Sequence, residues 1–426
     1  MAREPLYRSR PVAPDMARFG GQRINDFIAL SEGASNCYLL MTAAGNVQIN
    51  AGMGFEAPVH RQNFAAFSED RLRYLILTQG HVDHVGGVDY FCEHNPELKV
   101  IAQAGNPEHQ AYDARLSEFR ARRSAFAFTE KFTAAFQHYA EQGYRDYPAQ
   151  AAPMADIHFD KRYSFTLGEL DIECIAVPGA ETNDSLIVWL PAHRVCFTGN
   201  LFGCPFGHFP NLSTIRGDRY RDALTVASAV DTVRALQPQM ILYGHHAPIE
   251  GESLIQEELS ALHDAILYVH DETVSGMNAG KDVFTLMQEI KLPPALEVGE
   301  GYGSVAWGVR SIWEHYAGWF HHRSTTELYA QANDDVHADL RELVGGETAL
   351  VERAREKLAA NEPLAALQLL EIALSDTEAG AAALAEAIAA HRALRARSNN
   401  FWLDAWLDQQ IADLQQRHHA AEASHA

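Results

Sequence analysis

"LILTQGHVDHVGG", residues Leu75 to Gly87, sets an apolar run directly before a loop that carries Gln79, His81, Asp83 and His84. The apolar half reads as a buried strand, and the glycines as the turn that leaves it. A divalent metal such as zinc takes imidazole nitrogens and carboxylate oxygens at about 2.0–2.2 Å, and a short rigid segment after a strand can aim several such groups at one point. His and Asp are also common caps, here for a helix starting near Val85. The stretch alone therefore leaves a metal site and a capped turn both open.

Working outward, the runs "CYLLMT", "RYLILT", "KVIAQ", "DIECIAV", "SLIVWL", "RVCFTG" and "MILYGH" are short, rich in Val and Ile, and bounded by Gly, Pro or Asn. They predict buried strands of an α/β or α+β region that ends near residue 250. Glu181 follows "DIECIAVPG", Asn200 follows "RVCFTG" and His245 follows "MILYG". Four strand ends thus deliver ligand-type residues into their next loops, and binding sites of α/β proteins gather where loops leave the carboxyl ends of strands. The convergence favours the metal reading, with His246 as a supporting neighbour of His245.

Residues 105–150 read as a helical insertion, rich in Arg, Phe and Tyr. Its Phe119, Phe126, Phe128, Phe132 and Phe136 suit either a helix core or an apolar lid. After "GHHAPIEG" the strand signals stop. Leu367, Leu370 and Leu374 give one apolar stripe, preceded by a turn at Asn361 and Pro363, and "AGAAALAEAIAAHRALRA" predicts a second helix of a hairpin. No fixed-period repeat supports a solenoid. Three segments are expected: residues 1–253 with the insertion, a helical 254–412, and a frayed tail 413–426 whose His418, His419 and His425 are solvated.

The chain has 426 residues, with 47% hydrophobic, 21% charged and a formal net charge of −22. Such acidity argues against nucleic-acid partners, which require basic surface. An amino terminus without an apolar core and the lack of a long apolar segment predict a cytoplasmic chain with no membrane partner. The five cysteines are odd in number and contain no CxxC pair, so buried free thiols are expected, with Cys204 held open because it lies near the candidate site.

The order "SNCYLLMTAAGNVQINAGMG", "TQGHVDHVGG", "VPGAET", "FTGN" and "YGHH" resembles the metallo-β-lactamase fold, an αββα sandwich. "LPPALEVGEGYGSVAWGVRSIWEHYAGWF" and "ARSNNFWLDAWL" resemble the all-α dimerisation domain of class III alkyl sulfatases, and "NLSTIRG" the segment that follows their metal-ligand strand. The resemblance covers about residues 25–412. It implies a homodimer and a zinc centre of one or two ions, with iron or manganese as other candidates. It places His81 and Glu181 at one metal position, and Asp83, His84 and His245 at the other, with Glu181 open to bridge. It also implies Arg216 as an oxyanion-binding residue, with Tyr302 and Arg310 beside the pocket. Trp307, Trp313, Tyr316 and Trp319 read as helix packing and interface. His208 reads as an extra ligand or proton donor, since His titrates near neutrality.

Four departures accompany the resemblance. Gln79 stands where the family has His, Gly199 where it has Glu, Asn50 where the broader fold has Asp, and the family's sterol-carrier-like carboxyl-terminal domain is expected to be missing. Gln79 can offer a carbonyl oxygen, a weaker ligand than imidazole, or orient a neighbour. The leading expectation is metal-assisted hydrolysis of a sulfate or similar anionic ester with an apolar body, with a water whose pKa the metal lowers to about 7. A small molecule is the expected partner. Other expectations stay open: a different ester, lactone or amide; a binding protein with a decayed metal site; or non-haem iron chemistry on Asp83, His84 and His245.

Overall fold

The computed structural model describes residues 4–203, 205–375 and 380–424; Cys204 and His425 lie outside them. The described residues form two compact units, Met1–Tyr316 and Ala317–Ala426. The first holds two sheets. One runs in the order β1 Gln22–Arg23, β2 Ile28–Ser31, β3 Cys37–Thr42, β4 Gly45–Ile49, β5 Leu72–Ile76, β6 Lys99–Gln103 and β7 Ile157–Phe159. It is antiparallel through β4 and parallel from β4 to β7. The other holds β8 Arg162–Leu167, β9 Leu170–Ala176, β10 Leu186–Leu190, β11 Val195–Gly199, β12 Met240–Tyr243 and β13 Ile249–Glu250, of which only the β11–β12 pair is parallel.

Side chains alternate across a strand, so one strand feeds two cores. From the first sheet Leu40, Val47, Ile49 and Ile76 face Ile172, Val188, Phe197 and Leu242 of the second, in a shared interlayer. The residues of the opposite face, Leu39, Leu75 and Val100, instead pack on Phe64 of α1 (Ala57–Ala65), Val85 of α2 (Val82–Val85), and Val88 and Phe91 of α3 (Val88–His94). This is the αββα order. The buried strand runs read as strands because both faces are covered, which requires near-continuous apolar sequence.

The insertion is one helix, α4 (Asn106–Glu141), between β6 and β7. Its Phe132 and Phe136 pack on Phe55, with ring centroids 5.7 and 4.9 Å apart. Phe128 joins the same cluster. These rings serve helix packing, while Phe119 is exposed.

The outer face of the second sheet carries α5 (Ala223–Leu236) and α6 (Glu252–Asn278): Ile187, Trp189, Ile241 and Tyr243 share one core with Val226, Val230, Leu259, Leu262 and Ile266. Val283 and Leu286 of α7 (Val283–Glu289), and Val305, Val309, Ile312 and Trp313 of α8 (Val305–Ala317), extend that core. The unit boundary therefore falls after Tyr316 and not at 253/254: the helices that follow residue 253 complete the cover of the second sheet. Arg310 is engaged by Glu314 at 2.7 Å, one turn along α8.

The second unit contains α9 (His337–Leu343), α10 (Glu347–Ala359), α11 (Pro363–Ala373), α12 (Ala381–Arg395) and α13 (Phe401–Ser424). Leu370 is buried in its core and Leu367 and Leu374 flank it. The expected frayed tail is corrected: residues 413–424 are helical, because Leu414 is buried against that core and Ala421 packs beside it. His418 and His419 sit on this helix, and His418 faces Glu422 at 3.6 Å.

Leu414→Ala is expected to cost the helical unit about 2–5 kcal/mol, the usual range for emptying a buried leucine site. Glu422→Ala is expected to stay within about 0.5 kcal/mol, as surface substitutions do. Chemical denaturation of both variants checks this; equal midpoints would refute a packed carboxyl-terminal helix.

Candidate metal centre

The loop after β5 begins with Thr78, whose backbone N–H and hydroxyl both donate to Asn50 Oδ1, at 3.0 and 2.9 Å. Asn50 holds a left-handed φ of 62° at the end of β4, which turns its amide across to the neighbouring strand end. Asp184, from the β9–β10 loop, accepts from Gly80 N at 3.1 Å, from the Thr182 hydroxyl at 2.6 Å and from Asn106 Nδ2 at 2.7 Å. One carboxylate thereby ties together the β5 loop, the β9–β10 loop and the start of α4. Gly80 and its neighbours are fixed before any ligand arrives.

Among the described residues, Asp83, His84 and His245 bring their ligand atoms within 4.8 Å of one another. One ion with ligand distances of about 2.0–2.2 Å can be shared by all three once the side chains draw slightly together. Thr78 Oγ1 spends its proton on Asn50, which leaves it to accept from His84 Nδ1 at 3.3 Å; the Ser35 hydroxyl lies at 3.1 Å from the same nitrogen. The proton on Nδ1 frees the Nε2 lone pair, and that buried Nε2 has no hydrogen-bond partner. His245 shows the same pattern: a hydrogen bond to the Ala34 backbone holds its ring, and its buried Nδ1 is unpartnered. Burial pushes both imidazoles down to about 3, so both are neutral and their free lone pairs suit a cation. Burial raises the Asp83 carboxyl, against the pull of His245. These three residues fit a divalent metal.

The other proposed ligands are arranged differently. The Asn200 backbone N–H donates to Gln79 Oε1 at 3.1 Å, which orients the amide so that Gln79 Nε2 donates to His81 Nδ1 at 2.8 Å. His81 Nε2–H then faces Asp218 Oδ2 at 3.3 Å. His81 is the N-cap of α2 by position, but its side chain caps nothing. Glu181 Oε1 lies 3.8 Å from His81 Nδ1 and accepts from Arg221 Nη2 at 3.0 Å, while Arg221 Nε donates to the Glu181 carbonyl at 2.8 Å. Arg120 of α4 donates to Asp218 Oδ1 at 3.1 Å and pairs with Asp113. Arg216 stands 3.5 Å from Asp218 and 3.4 Å from His81 Nε2.

Burial pushes His81 well below its ordinary value, so its ring is neutral. Burial also lifts the Glu181 carboxyl to about 7, against the charge of Arg221. Burial opposes ionisation of Asp218 too, yet the His81 hydrogen bond and the charges of Arg221 and Arg216 hold its carboxyl well below the usual carboxylate range. Asn200 Oδ1 is buried and unpartnered.

His208 does not join this cluster. Gly301 N–H donates to its Nδ1 at 2.8 Å, Tyr7 packs edge-on at 5.3 Å, and a Cβ at Gly299 or Gly301 would collide with the ring. Tyr302 is near enough to Arg216 to influence its charge. His246 takes a left-handed φ of 62°, and its carbonyl accepts from Asn36 at 2.8 Å. With His245, Asp15, Glu32 and Asn36 it lines a cavity of about 150 Å³.

Asp218, Arg221, Arg120 and Asp184 escaped the sequence reading. The available signal for the first two was "DRYRD", dense alternating charge directly behind "NLSTIRG".

Residues 30–245, half of the chain, match the metallo-beta-lactamase superfamily. The chain belongs to that superfamily. Residues 284–417 match the alkyl sulfatase dimerisation family, so this metallo-beta-lactamase superfamily chain pairs its sandwich with an alkyl-sulfatase-like helical region. It is 28% identical over 277 residues to the linear primary-alkylsulfatase of Pseudomonas sp. (strain ATCC 19151), covering 60% of this chain and 51% of that protein. With the alkyl/aryl-sulfatase BDS1 of Saccharomyces cerevisiae it shares 24% over 266 residues, 58% of this chain and 41% of that protein. The chain thus spans about half the length of the curated relatives it matches. The stereoselective inverting sec-alkylsulfatase Pisa1 from Pseudomonas sp. has the same fold, with a TM-score of 0.80 at 19% identity over 94% of this chain and 66% of that one. Superfamily membership implies a divalent metal. No helix among the described residues is long and apolar enough to cross a membrane.

A Cβ at Gly244 would strike Asn200 Oδ1 and come within 3.0 Å of the Gly199 carbonyl carbon. Gly244→Ala is accordingly expected to destabilise the first unit by about 1–3 kcal/mol, the usual cost of overpacking. A thermal midpoint equal to that of the parent chain would disprove the close approach of these two strand ends.

Proposed function

We propose that the chain is a metal-dependent hydrolase of a sulfate ester or similar anionic ester with an apolar body. The observation that carries this reading is the pair of buried, unpartnered nitrogens, His84 Nε2 and His245 Nδ1, that converge with Asp83 within electrostatic reach of the Arg216 guanidinium. The metal is zinc in this reading, since imidazole and carboxylate ligands suit it. Bound there, it supplies Lewis acidity and lowers the pKa of water towards neutrality.

The chain's own residues set the stage for that chemistry. Ser35, Thr78 and Asn50 lock the His84 tautomer, a relay of the kind that orients metal ligands. Arg216 is about one-fifth exposed at its side chain and is held by Asp218, so its fork is oriented yet reachable by a planar or tetrahedral oxyanion. Tyr302 stands on the Arg216 side and contributes to substrate contact in this reading. The relatives that carry alkylsulfatase names support the sulfate ester as substrate class. The match to the dimerisation family supports a homodimer. The free thiols of Cys37, Cys174 and Cys196 are consistent with a reducing, cytoplasmic location.

Arg216→Ala is expected to lower kcat/KM for a long-chain alkyl sulfate about 10- to 100-fold, the equivalent of one lost charged hydrogen bond. A neutral carboxylic ester should suffer far less. Equal losses on both would argue for a different ester chemistry. Removal of metal with a chelator is expected to abolish turnover, and zinc to restore it; activity that survives complete chelation would refute the metal reading.

A further inference from the structure

We infer that the chain holds a single metal ion, at Asp83, His84 and His245, and that the second position expected of a two-metal centre is closed by an ion-pair knot of Asp218 with Arg120, Arg216 and Arg221. The inference rests on the proposed reading that the Asp83 cluster binds metal.

The amide nitrogen of Gln79 only donates, and the ionised carboxylate of an aspartate only accepts. In His81 the lone pair at Nδ1 accepts from Gln79, and the N–H at Nε2 faces Asp218. Nothing is left to ligate an ion. His84 and His245 differ in this respect, for each keeps a buried nitrogen without a partner. The orientation of Gln79 is what forces the difference: with its oxygen taken by the Asn200 N–H, the amide presents nitrogen, not oxygen, to the centre.

Glu181 is likewise committed, since Arg221 grips its carboxylate and its carbonyl together. A cation placed between His81 and Glu181 would sit against the guanidinium groups of Arg216 and Arg221, and like charges at such range repel, the more strongly the more they are buried. A bridging carboxylate cannot come from the end of β11. Gly199 has a left-handed φ of 54°, and a Cβ there would lie 2.5 Å from Thr78 Oγ1. The remaining donor is Asn200 Oδ1, a neutral amide. Asp218 is thus a positioning residue: it accepts from the His81 N–H, anchors Arg216 and supplies the negative charge around which the arginines gather.

The test is metal content per chain by elemental analysis of the full chain, purified without chelator and then equilibrated with excess zinc and desalted. The parent is expected to hold one ion, His81→Ala and Glu181→Gln to keep it, and His84→Ala to lose it, with circular dichroism to verify that each variant is folded. Two ions in the parent, or loss of one ion in His81→Ala, would overturn the single-ion inference while leaving the metal reading standing. No ion in the parent would overturn both. Should His81→Ala fail to fold, Glu181→Gln decides alone, because the two-ion arrangement requires that carboxylate.

Discussion

The dry interlayer between the two sheets is the constraint from which the centre follows. Leu40, Ile49 and Ile76 on one side and Val188, Phe197 and Leu242 on the other are buried completely, so the strands cannot slide without exposing a whole face. That packing fixes where β5, β9, β11 and β12 end. Their loops then meet along one edge of the sandwich. The polar ties there, Asn50 to Thr78 and Asp184 to Gly80, are short because the strand ends are already adjacent. Buried hydrogen bonds of this kind stiffen the loops they join, and His84 Nε2 and His245 Nδ1 are among the buried atoms left without a partner.

Within that frame, proton placement separates the two halves of the site. Thr78 gives its hydrogen to Asn50 and receives one from His84, so the His84 lone pair points inward free. Gln79 gives its hydrogen to His81, and that lone pair is consumed. The two residues are neighbours in sequence, and each acts on a histidine a few positions on. A one-residue difference in donor and acceptor character therefore decides which imidazole remains available, which is how a single Gln can matter to the composition of the whole centre.

The fold was legible in the sequence because its signals are local. Cys37–Thr42 and Lys99–Gln103 are strands with the bounds their apolar runs suggested, since strands covered on both faces need uninterrupted apolar side chains. The grouping of Asp83, His84 and His245 was suggested for a related reason: the first two lie within ten residues of the end of β5, and His245 two residues after β12. The knot was not. Arg120 and Asp218 are 98 positions apart, and nothing in a helix read as a packing insertion marks one arginine as reaching across to the site. The compact units divide after Tyr316 where the expectation was 253/254, because α6 to α8 look like the start of a helical half while their apolar faces are spent on the second sheet. The tail was misread because histidines and alanines outnumber the apolar residues there, although Leu414 is enough to dock it.

Charge ties these observations to the proposed chemistry. With a formal net charge of −22 the chain repels an anionic substrate at a distance. Physiological salt screens that repulsion over about 8 Å, so attraction has to be local to win. A knot in which Arg120, Arg216 and Arg221 face Asp113, Asp218 and Glu181 is balanced in formal charge, and Glu181 near neutrality carries only part of its charge because burial raises its carboxyl. One dication opposed by Asp83 alone would add an excess positive charge beside it. In the single-ion reading the centre is then a small cationic spot in an acidic protein, anchored by Asp218, with part of the Arg216 side chain exposed beside it.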